Sequence, residues 1–573
     1  MQVRTQGGLA RGPPPYKDKR MSIPRSTQAR APLLLWLLGM LIGLNLASDT
    51  SAPLALLLGG ALLGGGIALC LVLATRLKRT WIACFLISTT LSFWAYGQIR
   101  LPANPEPFNL TLPAREARLT LEIQRVMQPE DRYGQASGIA RVVSAPPTSR
   151  LCRNDRIYFR FTRVRQLPTA IQPGLQLEAT GILSPIPPAA PNSPSADFDA
   201  YLKGIGVHYR FARTGQLSIL RAPARFQRFC SATNERFQYI LRLGEPVDME
   251  LANVYVAMLL GRKIELSSEQ SERYRTSGTM HFFAISGLHI GVIATVIAHG
   301  LLLLRVPRGV SPCIGLSLLF LYVEITGASP SAVRAFLMAT FFWASFAVQR
   351  QRSAYAALIG SAVLVLIIEP QQLWSLGFQL SYTVVVSILL FGLPLHQTLN
   401  QRCRPFRWLP EDSWSRRQRA LAWSLDKGLL LFAISFAAWL ASVPLSAGHF
   451  QFIVPNAILL NMLLVNLASL AIIGGVIALS CGNLGLLLLA EFINHSAWTV
   501  LSMMDQLIIL SAQLPGGTIH CPDFPPALSY ASLAAYFACL LWLHHRPERL
   551  SSAALLLPPL TILCPLTIGL LAD

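Results

Sequence analysis

Long runs of apolar residues occupy both ends of the chain and enclose one polar segment, from about residue 98 to residue 250. Each apolar run is about as long as a helix needs to cross roughly 30 Å of hydrocarbon at 1.5 Å per residue. The run at 484–510 contains Glu491, His495 and Asp505, so part of it is expected to lie in the interface. The pattern predicts about 13 membrane spans, at residues 33–48, 53–74, 81–97, 281–304, 311–327, 333–348, 354–369, 373–394, 429–447, 456–479, 484–510, 527–545 and 553–571.

The polar segment contains short runs in which apolar and polar residues alternate, at 119–126, 138–143, 156–163, 175–183 and 207–211. Pro, Gly and Asn turns separate these runs, which is typical of antiparallel strands. About five strands in this length fit a small OB-like β-barrel or a sandwich. The residues that follow, up to 280, are too polar to span but carry apolar faces, which predicts interfacial amphipathic helices.

The predicted fold class is a polytopic α-helical membrane protein with a small all-β, OB-like periplasmic domain inserted after the third span. Only 13% of the 573 residues are charged, about half the share in soluble domains, which excludes a single soluble globule, a disordered chain or a coiled coil. The expected domains are a basic tail (1–31), three spans (32–97), the β domain (98–225), the interfacial helices (226–280) and a polytopic domain of about ten apolar segments (281–573).

Most of the net charge of +20 follows from membrane topology. The tail 1–31 holds seven Lys and Arg and one Asp, and the short loops on the same side also hold Lys and Arg. Because basic loops stay in the cytoplasm, the N-terminus and the basic run 402–427 are expected inside, and the β domain and the C-terminus outside. The outside turns hold no Lys or Arg, near residues 49–52, 328–332, 370–372, 448–455 and 512–526.

Topology does not account for the 20 Lys and Arg against 13 Asp and Glu in residues 98–250. In residues 156–163, RIYFRFTR, basic residues alternate with apolar ones, so one strand face is basic. That face predicts either a polyanion groove, with arginines on phosphates and tyrosines stacked on bases, or a half-buried strand with a solvated basic face. The candidate nucleic-acid contacts are Arg156, Tyr158, Arg160, Arg163, Tyr209 and Arg210.

The polar segment holds two of the ten cysteines, Cys152 and Cys230. In an oxidising compartment they are expected either to form a disulfide or to be two unrelated thiols.

Several polar side chains interrupt the apolar runs, where polar groups need partners or a wet cavity. His281 and His289 are eight residues apart, about two helical turns, so they are expected near one helix face, with Ser286 between them. Gly287 and Gly291 have the GxxxG spacing, which predicts close helix packing.

A Gly, Ser and Pro-rich turn lies between Glu324 and Arg334. One expectation is that these two residues form a structural ion pair. The other is that Arg334 faces a conduit, where it binds phosphate. Gln379 and Ser381 lie inside a later apolar run, and hydrogen bonding between helices is expected for at least one of them.

The sequence contains no recognisable enzyme motif. It has no Gly-Lys dipeptide and therefore no Walker-type loop, and it has no HEXXH, HxHxDH-like or GxSxG motif. No enzymatic activity, cofactor or metal is predicted.

Four stretches in order resemble the ComEC family of competence DNA-uptake permeases. They are SADFDAYLKGIGVHYR at 195–210, HFFAISGLHIGVI at 281–293, TGASPSAVRAFLMA at 326–339 and LWSLGFQLSYTVVV at 373–386, with a weaker fifth, SVPLSAGHFQFIVPNAILLN, at 442–461. The resemblance covers nearly the whole chain. It implies an inner-membrane channel that admits one DNA strand from periplasm to cytoplasm during natural transformation. It also implies a translocation core formed by Ser286, Gly287, His289, Arg334, Gln379 and Ser381. The polar residues within the apolar runs add His281 and Glu324 to this core.

The implied partners are single-stranded DNA, a periplasmic DNA receptor, the lipid bilayer, a separate nuclease, and a cytoplasmic ATPase or single-strand-binding proteins. Many family members continue into a metallo-β-lactamase-like domain, whereas this chain ends at Asp573. Strand degradation is therefore expected from another polypeptide or not at all, and a truncated member that no longer takes up DNA is also compatible. Two other classes stay open, a secondary transporter of a small anionic solute and a membrane-embedded nuclease at His281 and His289.

Overall fold

The computed structural model describes the chain from residue 31 to residue 571 with short gaps, so residues 1–30 of the basic tail, Cys152 and Arg163 lie outside the described residues. The gaps are residues 74–77, 102–111, 129–133, 150, 152, 163, 165–169, 187–195, 213–214, 216, 246–249, 263–265, 348–352, 407, 514–516, 523 and 546–553.

The first three helices form one unit, in which α1 (Ala31–Asp49) and α2 (Leu54–Leu73) both pack on α3 (Lys78–Arg100). Glycine makes this packing close, because a Cβ atom at Gly43 would lie 2.4 Å from the carbonyl oxygen of Thr90. Small residues at such contacts let helix backbones approach each other.

The β domain contains six strands in the described residues, and five of them close into a barrel. In sheet order, β1, β2, β3, β5 and β4 pair in turn, and β4 returns to β1. Strands β3 and β5 are parallel, the other pairs are antiparallel, and β6 adds to β4. A helix, α4, precedes β5. The bounds are β1 (Arg115–Gln128), β2 (Ala136–Ser144), β3 (Arg156–Phe161), β4 (Gln176–Pro185), α4 (Ala196–Gly204), β5 (Val207–Ala212) and β6 (Leu217–Arg221).

Alternation along the strands explains the barrel, because every second side chain points into it. Leu119 and Leu121 of β1, Phe159 of β3 and Phe211 of β5 are fully buried. The alternating runs predicted as strands all coincide with strands. The sequence pattern does not predict the short β6 and α4, since segments of this length carry too little periodic signal to separate them from turns.

The remainder of the described chain is mostly helical, and every predicted apolar segment coincides with a helix. One small sheet pairs β7 (Phe452–Ile453) with β8 (Ile519–His520). The helices after β6 are α5 (Arg225–Leu241), α6 (Glu250–Leu260), α7 (Ser268–Thr276), α8 (Gly287–Leu303), α9 (Ser311–Ile325), α10 (Pro330–Ala347), α11 (Ala354–Ile368), α12 (Leu376–Ser387), α13 (Leu393–Arg402), α14 (Arg416–Phe450), α15 (Ala457–Asn483), α16 (Leu487–Ala512), α17 (Pro526–His545) and α18 (Leu557–Leu571).

Some of these helices have the length and composition of membrane spans. The stretch from α12 to α13 is continuous through a π turn at Ile388–Gly392. Shorter apolar helices, such as Gly287–Leu303 and Ser311–Ile325, occupy other predicted spans. Within the described residues, six helical stretches are long and apolar enough to cross a membrane: Leu54–Leu71, Thr80–Arg100, Leu376–Arg402, Arg416–Phe450, Ala457–Asn483 and Pro526–His544.

The helix pair predicted at 251–280 is present as α6 and α7, but α6 is buried around its circumference instead of showing one apolar face. Tyr255, Ala257 and Leu259 are fully buried, in the same core cluster as residues of α15 and α16. Helix α6 is therefore a core helix of the protein.

Two polar residues of α16 form hydrogen bonds with other helices of the protein. Asp505 accepts a 2.9 Å hydrogen bond from the hydroxyl of Tyr274 on α7. Asn494 donates to the carbonyl oxygen of Ile240 on α5 at 2.8 Å. These polar positions therefore hold the helices of residues 225–280 in place.

Candidate functional site

Helix α8 begins at a hydrogen-bonded cap made by two residues of the second family-like stretch. Ser286 is the N-cap residue, with extended backbone, and its N–H donates to His289 Nδ1 at 3.3 Å. The Ser286 Oγ also lies 2.9 Å from this nitrogen. Because a backbone N–H can only donate, Nδ1 is the acceptor and the neutral ring carries its proton on Nε2. His289 is 0% exposed, so the cap is enclosed by the protein.

His281 does not share a helix face with His289, so that prediction is wrong. It lies in the short 3-10 turn Met280–Phe283, and extended backbone at Ala284 separates this turn from α8. Its side chain is exposed, with Nδ1 3.0 Å from the carbonyl oxygen of Gly278. Helical spacing does not apply across this interruption of the helix.

The two glycines of the GxxxG spacing do not mediate helix packing, which corrects the second expectation for α8. Apart from adjacent residues and the backbone of α8 itself, no atom of the described chain lies within 4 Å of a Cβ atom built on Gly287 or on Gly291. Thr295 and His299 follow at intervals of four residues, and all four are exposed. We call this stripe the open face of α8. The Thr295 hydroxyl bonds back to the helix, donating to the carbonyl oxygen of Gly291 at 2.8 Å.

Arg334 lies in the first turns of α10 and is only 4% exposed. Its Nη2 donates to the carbonyl oxygen of Gly377 at 2.9 Å, and its Nε has no hydrogen-bond partner among the described residues. The turn expected before α10 is present, with left-handed backbone at Gly327 and Ala328.

The predicted ion pair between Glu324 and Arg334 is absent, although the structure describes both residues. Glu324 is half-buried in the last turn of α9. Arg334 instead bonds to a backbone carbonyl, which offers a dipole but no full charge. A buried guanidinium without a carboxylate attracts an anion, because its own charge is not neutralised.

The fourth family-like stretch forms the start of α12 and supplies the acceptor for Arg334. Ser375 caps this helix by accepting the N–H of Phe378 at 3.2 Å. Ser381 is half-buried, one turn after Gly377 on the same face.

Gln379 joins α12 to another helix. Its side-chain amide donates to the carbonyl oxygen of Leu373 at 3.2 Å, and its oxygen accepts from the Tyr530 hydroxyl of α17 at 3.2 Å. The hydrogen bonding between helices expected for at least one of the two polar residues is therefore found at Gln379.

These residues lie on three neighbouring helices, because α10 packs against both α8 and α12. The Ser286–His289 cap stands at the start of α8, Arg334 near the start of α10, and Gly377 at the start of α12. The third and fourth family-like stretches therefore meet at the hydrogen bond between Arg334 and Gly377, and the second lies on a helix that packs against α10. Sequence reasoning missed Gly377 and Tyr530 as partners, since nothing in the sequence shows which distant carbonyl or hydroxyl a side chain will reach.

Helix α4 covers part of the basic strand face of the β domain, at Tyr158 and Arg210. The Phe198 ring of this helix lies 5.2 Å from the ring of Tyr158. Arg210 forms an ion pair with Asp199 of the same helix. Tyr209 is buried among the core residues of the barrel, so its ring is not accessible for stacking on a base in this arrangement. Most of the predicted nucleic-acid contacts are thus engaged within the protein.

Other charges on the barrel also have local partners. Arg160 is exposed and donates to Gln135 Oε1 at 3.0 Å. Arg118 pairs with Glu178 at 2.7 Å, and this hydrogen bond lowers the pKa of the Glu178 carboxyl. Burial, followed by the positive charge of a nearby lysine, lowers the pKa of His208, so this imidazole is neutral at pH 7. The described barrel presents less free positive charge than its composition suggests.

Arg156 contacts the helical domain. Its Nη1 donates to Gln371 Oε1 at 3.3 Å, and its Nη2 lies 3.4 Å from Glu369 Oε1. Both partners belong to the turn between α11 and α12. The residue predicted to contact nucleic acid therefore forms a contact between domains.

Cys230 is a free, buried thiol on α5. Its predicted disulfide partner, Cys152, lies outside the described residues, so the disulfide stays a prediction. Among the residues that the structure describes, no group of three or more His, Cys, Asp or Glu is placed to hold a metal ion.

The six long apolar helical stretches of the described residues, beside a separate β domain, are typical of a multi-pass membrane protein. A family model described as Competence protein matches residues 258–546, which is just over half of the chain. The chain belongs to this competence protein family, and the resemblance to ComEC is confirmed.

Two curated proteins are similar to parts of the chain. ComE operon protein 3 of Bacillus subtilis (strain 168) is 27% identical over 382 residues, which cover 66% of this chain and 45% of that protein. An uncharacterized protein of Aquifex aeolicus (strain VF5) is 28% identical over 145 residues, which cover 25% of this chain and 34% of that protein. The matches thus span less than half the length of either relative. No solved structure matches the chain.

Proposed function

We propose that this protein is an inner-membrane channel that conducts single-stranded DNA from the periplasm to the cytoplasm in natural transformation. The observation that carries the proposal is Arg334, a buried guanidinium with no carboxylate partner among the described residues, in the third family-like stretch. Membership of the competence family supports it.

A polyanion can cross a low-dielectric layer only along a hydrated path that offers positive charge or dipoles. The attraction between a guanidinium and a phosphate grows several-fold as the surroundings become less polar than water. Intramembrane ionisable residues mark such pathways, since their desolvation is costly without a function. Arg334 fits a transient phosphate contact because its carbonyl partner holds it in place without cancelling its charge.

The open face of α8 supplies the wall of the proposed path. A lipid-facing helix surface is normally apolar, whereas this one begins with two glycines followed by Thr295 and His299, and becomes apolar only at the exposed Leu303 in its last turn. Polar residues inside a membrane usually face a cavity or a partner. The glycines leave room beside the helix, so we propose that the strand passes along this face.

The β domain is proposed to be periplasmic and OB-like. Its circuit of five strands closes into a barrel of the kind that binds oligonucleotides in other proteins. The positive-inside pattern of the loops supports an N-terminus in the cytoplasm and a C-terminus in the periplasm.

An exposed basic surface on the proposed cytoplasmic side suits an emerging strand. Arg416, Arg417 and Arg419 open α14 and are exposed, close in sequence to Trp408, which is 97% exposed. Basic side chains track a phosphate backbone, and an exposed aromatic ring offers a stacking surface for a base.

The proposed partners are a periplasmic DNA receptor that delivers the strand and a separate nuclease that removes its complement. A cytoplasmic ATPase or single-strand-binding proteins would supply the motive force, because no Walker-type loop occurs in this sequence.

Deletion of the gene in its host tests the proposal at the level of the cell. With fluorescent duplex DNA added outside, we expect the deletion strain to accumulate DNA in the periplasm while the cytoplasm receives none. Complementation with the wild-type gene is the control and should restore transfer. Undiminished arrival of DNA in the cytoplasm of the deletion strain contradicts the proposal.

A further inference from the structure

The turn between α11 and α12 is contacted by the β domain on one side and by Arg334 on the other. We call residues 369–377, which comprise this turn and the first two residues of α12, the docking segment. The end of α3 meets the same region, because Tyr96 and Arg100 donate to carbonyl oxygens in the last turn of α11. Helix α3, which leads into the β domain, and the β domain itself therefore both contact the region between the end of α11 and the start of α12.

The contact with the β domain is specific in shape and charge. Arg156 reaches Glu369 and Gln371 of the docking segment. Gly206 lies in the turn between α4 and β5 with φ +77°, and a Cβ atom there would lie 2.7 Å from Gln371 Nε2. Glycine suits this position for both reasons, since other residues rarely adopt such a φ angle and would strike Gln371. The first family-like stretch thus contains part of the contact.

A chain of hydrogen bonds continues from this contact into the docking segment. Glu369 Oε1 accepts a hydrogen bond from Arg156 Nη2. Glu369 Oε2 accepts one from the Gln372 side-chain amide at 2.9 Å. Ser375 Oγ lies 2.8 Å from the carbonyl oxygen of Gln372 and 3.1 Å from Gln372 Oε1, so its single proton is shared between these two acceptors. The charge contact at the domain boundary is therefore linked to the cap of α12.

The cap in turn sets the position of the acceptor for Arg334. Ser375 Oγ accepts the N–H of Phe378 at 3.2 Å, which fixes the first turn of α12. This turn presents the carbonyl oxygen of Gly377 to Arg334 Nη2 at 2.9 Å. An unbroken series of polar contacts therefore connects the β domain to the Arg334 guanidinium.

We propose that Arg156 is a positioning residue for translocation, which acts through the docking segment and does not touch the transported strand. The inference rests on the proposed function of Arg334. The β domain holds the docking segment in one arrangement. This arrangement fixes the position of the Gly377 carbonyl oxygen, which orients the Arg334 guanidinium. Because the side chains of Arg156 and Glu369 are both partly exposed, their charges can be exchanged without burying a new group.

A charge swap tests the proposal. We expect Arg156→Glu and Glu369→Arg each to lower DNA uptake into the cytoplasm about tenfold, and the double variant to restore it to within about threefold of wild type, since contacting pairs are not additive. Arg153→Glu is the matched control: it makes the same charge change three residues away at an exposed site, and uptake should stay unchanged. Membrane levels and melting temperatures of all variants are measured alongside.

Three results overturn the inference. If Arg156→Glu leaves uptake unchanged, the contact has no role in translocation. If the double variant is no better than Arg156→Glu, Arg156 acts on the DNA or elsewhere. If Arg153→Glu is equally harmful, general charge on the domain matters. If the proposed function of Arg334 is wrong, Arg334→Ala leaves uptake intact, independently of the result of the charge swap between Arg156 and Glu369.

A second readout separates positioning from independent action. In an Arg334→Lys background, which keeps the charge but loses the planar fork, we expect Arg156→Glu to reduce uptake by a smaller factor than in wild type. Equal factors in both backgrounds mean that the two residues act independently, and the link through the docking segment is then wrong.

Discussion

Replacing Arg334 by Ala is expected to abolish DNA uptake into the cytoplasm while the protein remains in the membrane. A passing phosphate would lose a desolvated partner, and breaking such a pair costs about 3–5 kcal/mol. With tenfold for about every 1.4 kcal/mol, uptake should fall by roughly 100-fold to 4,000-fold. The measurement is transformation frequency normalised to the amount of protein in the membrane, with periplasmic DNA quantified in the same cells.

Two further variants make this result specific. Arg334→Lys keeps a positive charge without the fork that binds the carbonyl of Gly377, so we expect it to retain part of the uptake. Arg308→Ala, in the exposed turn between α8 and α9, removes one charge without touching the cluster and should behave as wild type. Normal uptake by Arg334→Ala contradicts the phosphate role. Loss of the variant from the membrane assigns Arg334 a structural role instead.

Replacing Gly291 by Leu is expected to obstruct the path without harming the fold. The added side chain would project from the open face into space that no described atom occupies. Glycine is about 0.8–1 kcal/mol less favourable than alanine in a helix, and leucine ranks close to alanine, so the variant should be at least as stable. We expect uptake to fall by about tenfold or more, because the diameter of a pore limits what it conducts.

Gly66 of α2 offers a matched control, since it is also exposed and has no described atom within 4 Å of a built Cβ. Gly66→Leu should leave uptake unchanged, because α2 contains none of the family-like stretches. If Gly291→Leu conducts DNA as well as the wild type, the open face of α8 borders lipid and the proposed path is wrong. Thermal unfolding of both purified variants checks that the loss is not one of stability.

Helices and strands of this fold are predictable from the sequence where a segment is long and its pattern is regular. The apolar runs and the alternating runs both coincide with elements, because burial of apolar side chains decides secondary structure at those lengths. The sequence pattern does not predict short elements such as α4 and β6. It predicts an amphipathic helix at α6, although other helices enclose this helix. Whether a modestly apolar helix is covered depends on neighbours that sequence spacing does not reveal.

The members of the candidate site are predictable from the sequence, but their contacts are not. Ser286, His289 and Arg334 are grouped by the family resemblance, and the structure places them on adjacent helices. Spacing fails for His281, since extended backbone interrupts the helix before His289. The alternative in which Glu324 pairs with Arg334 fails because the guanidinium reaches a carbonyl oxygen 43 residues away in sequence.

The β domain shows the same limit. Alternation identifies the basic face of β3 but not the helix that covers it, and Arg156 meets Glu369 across 213 residues of sequence. Such long-range polar contacts carry no local signature in propensity or spacing.

Reconstitution of the purified protein into liposomes tests the central claim most directly. Single-strand-binding protein is enclosed in the lumen to trap incoming DNA, and labelled single-stranded DNA is added outside, followed by a nuclease. We predict that wild-type vesicles protect labelled DNA from the nuclease, and that vesicles with Arg334→Ala protect no more than protein-free vesicles. Protection by wild type no greater than in protein-free vesicles, or equal protection by Arg334→Ala, would contradict a DNA channel built around Arg334.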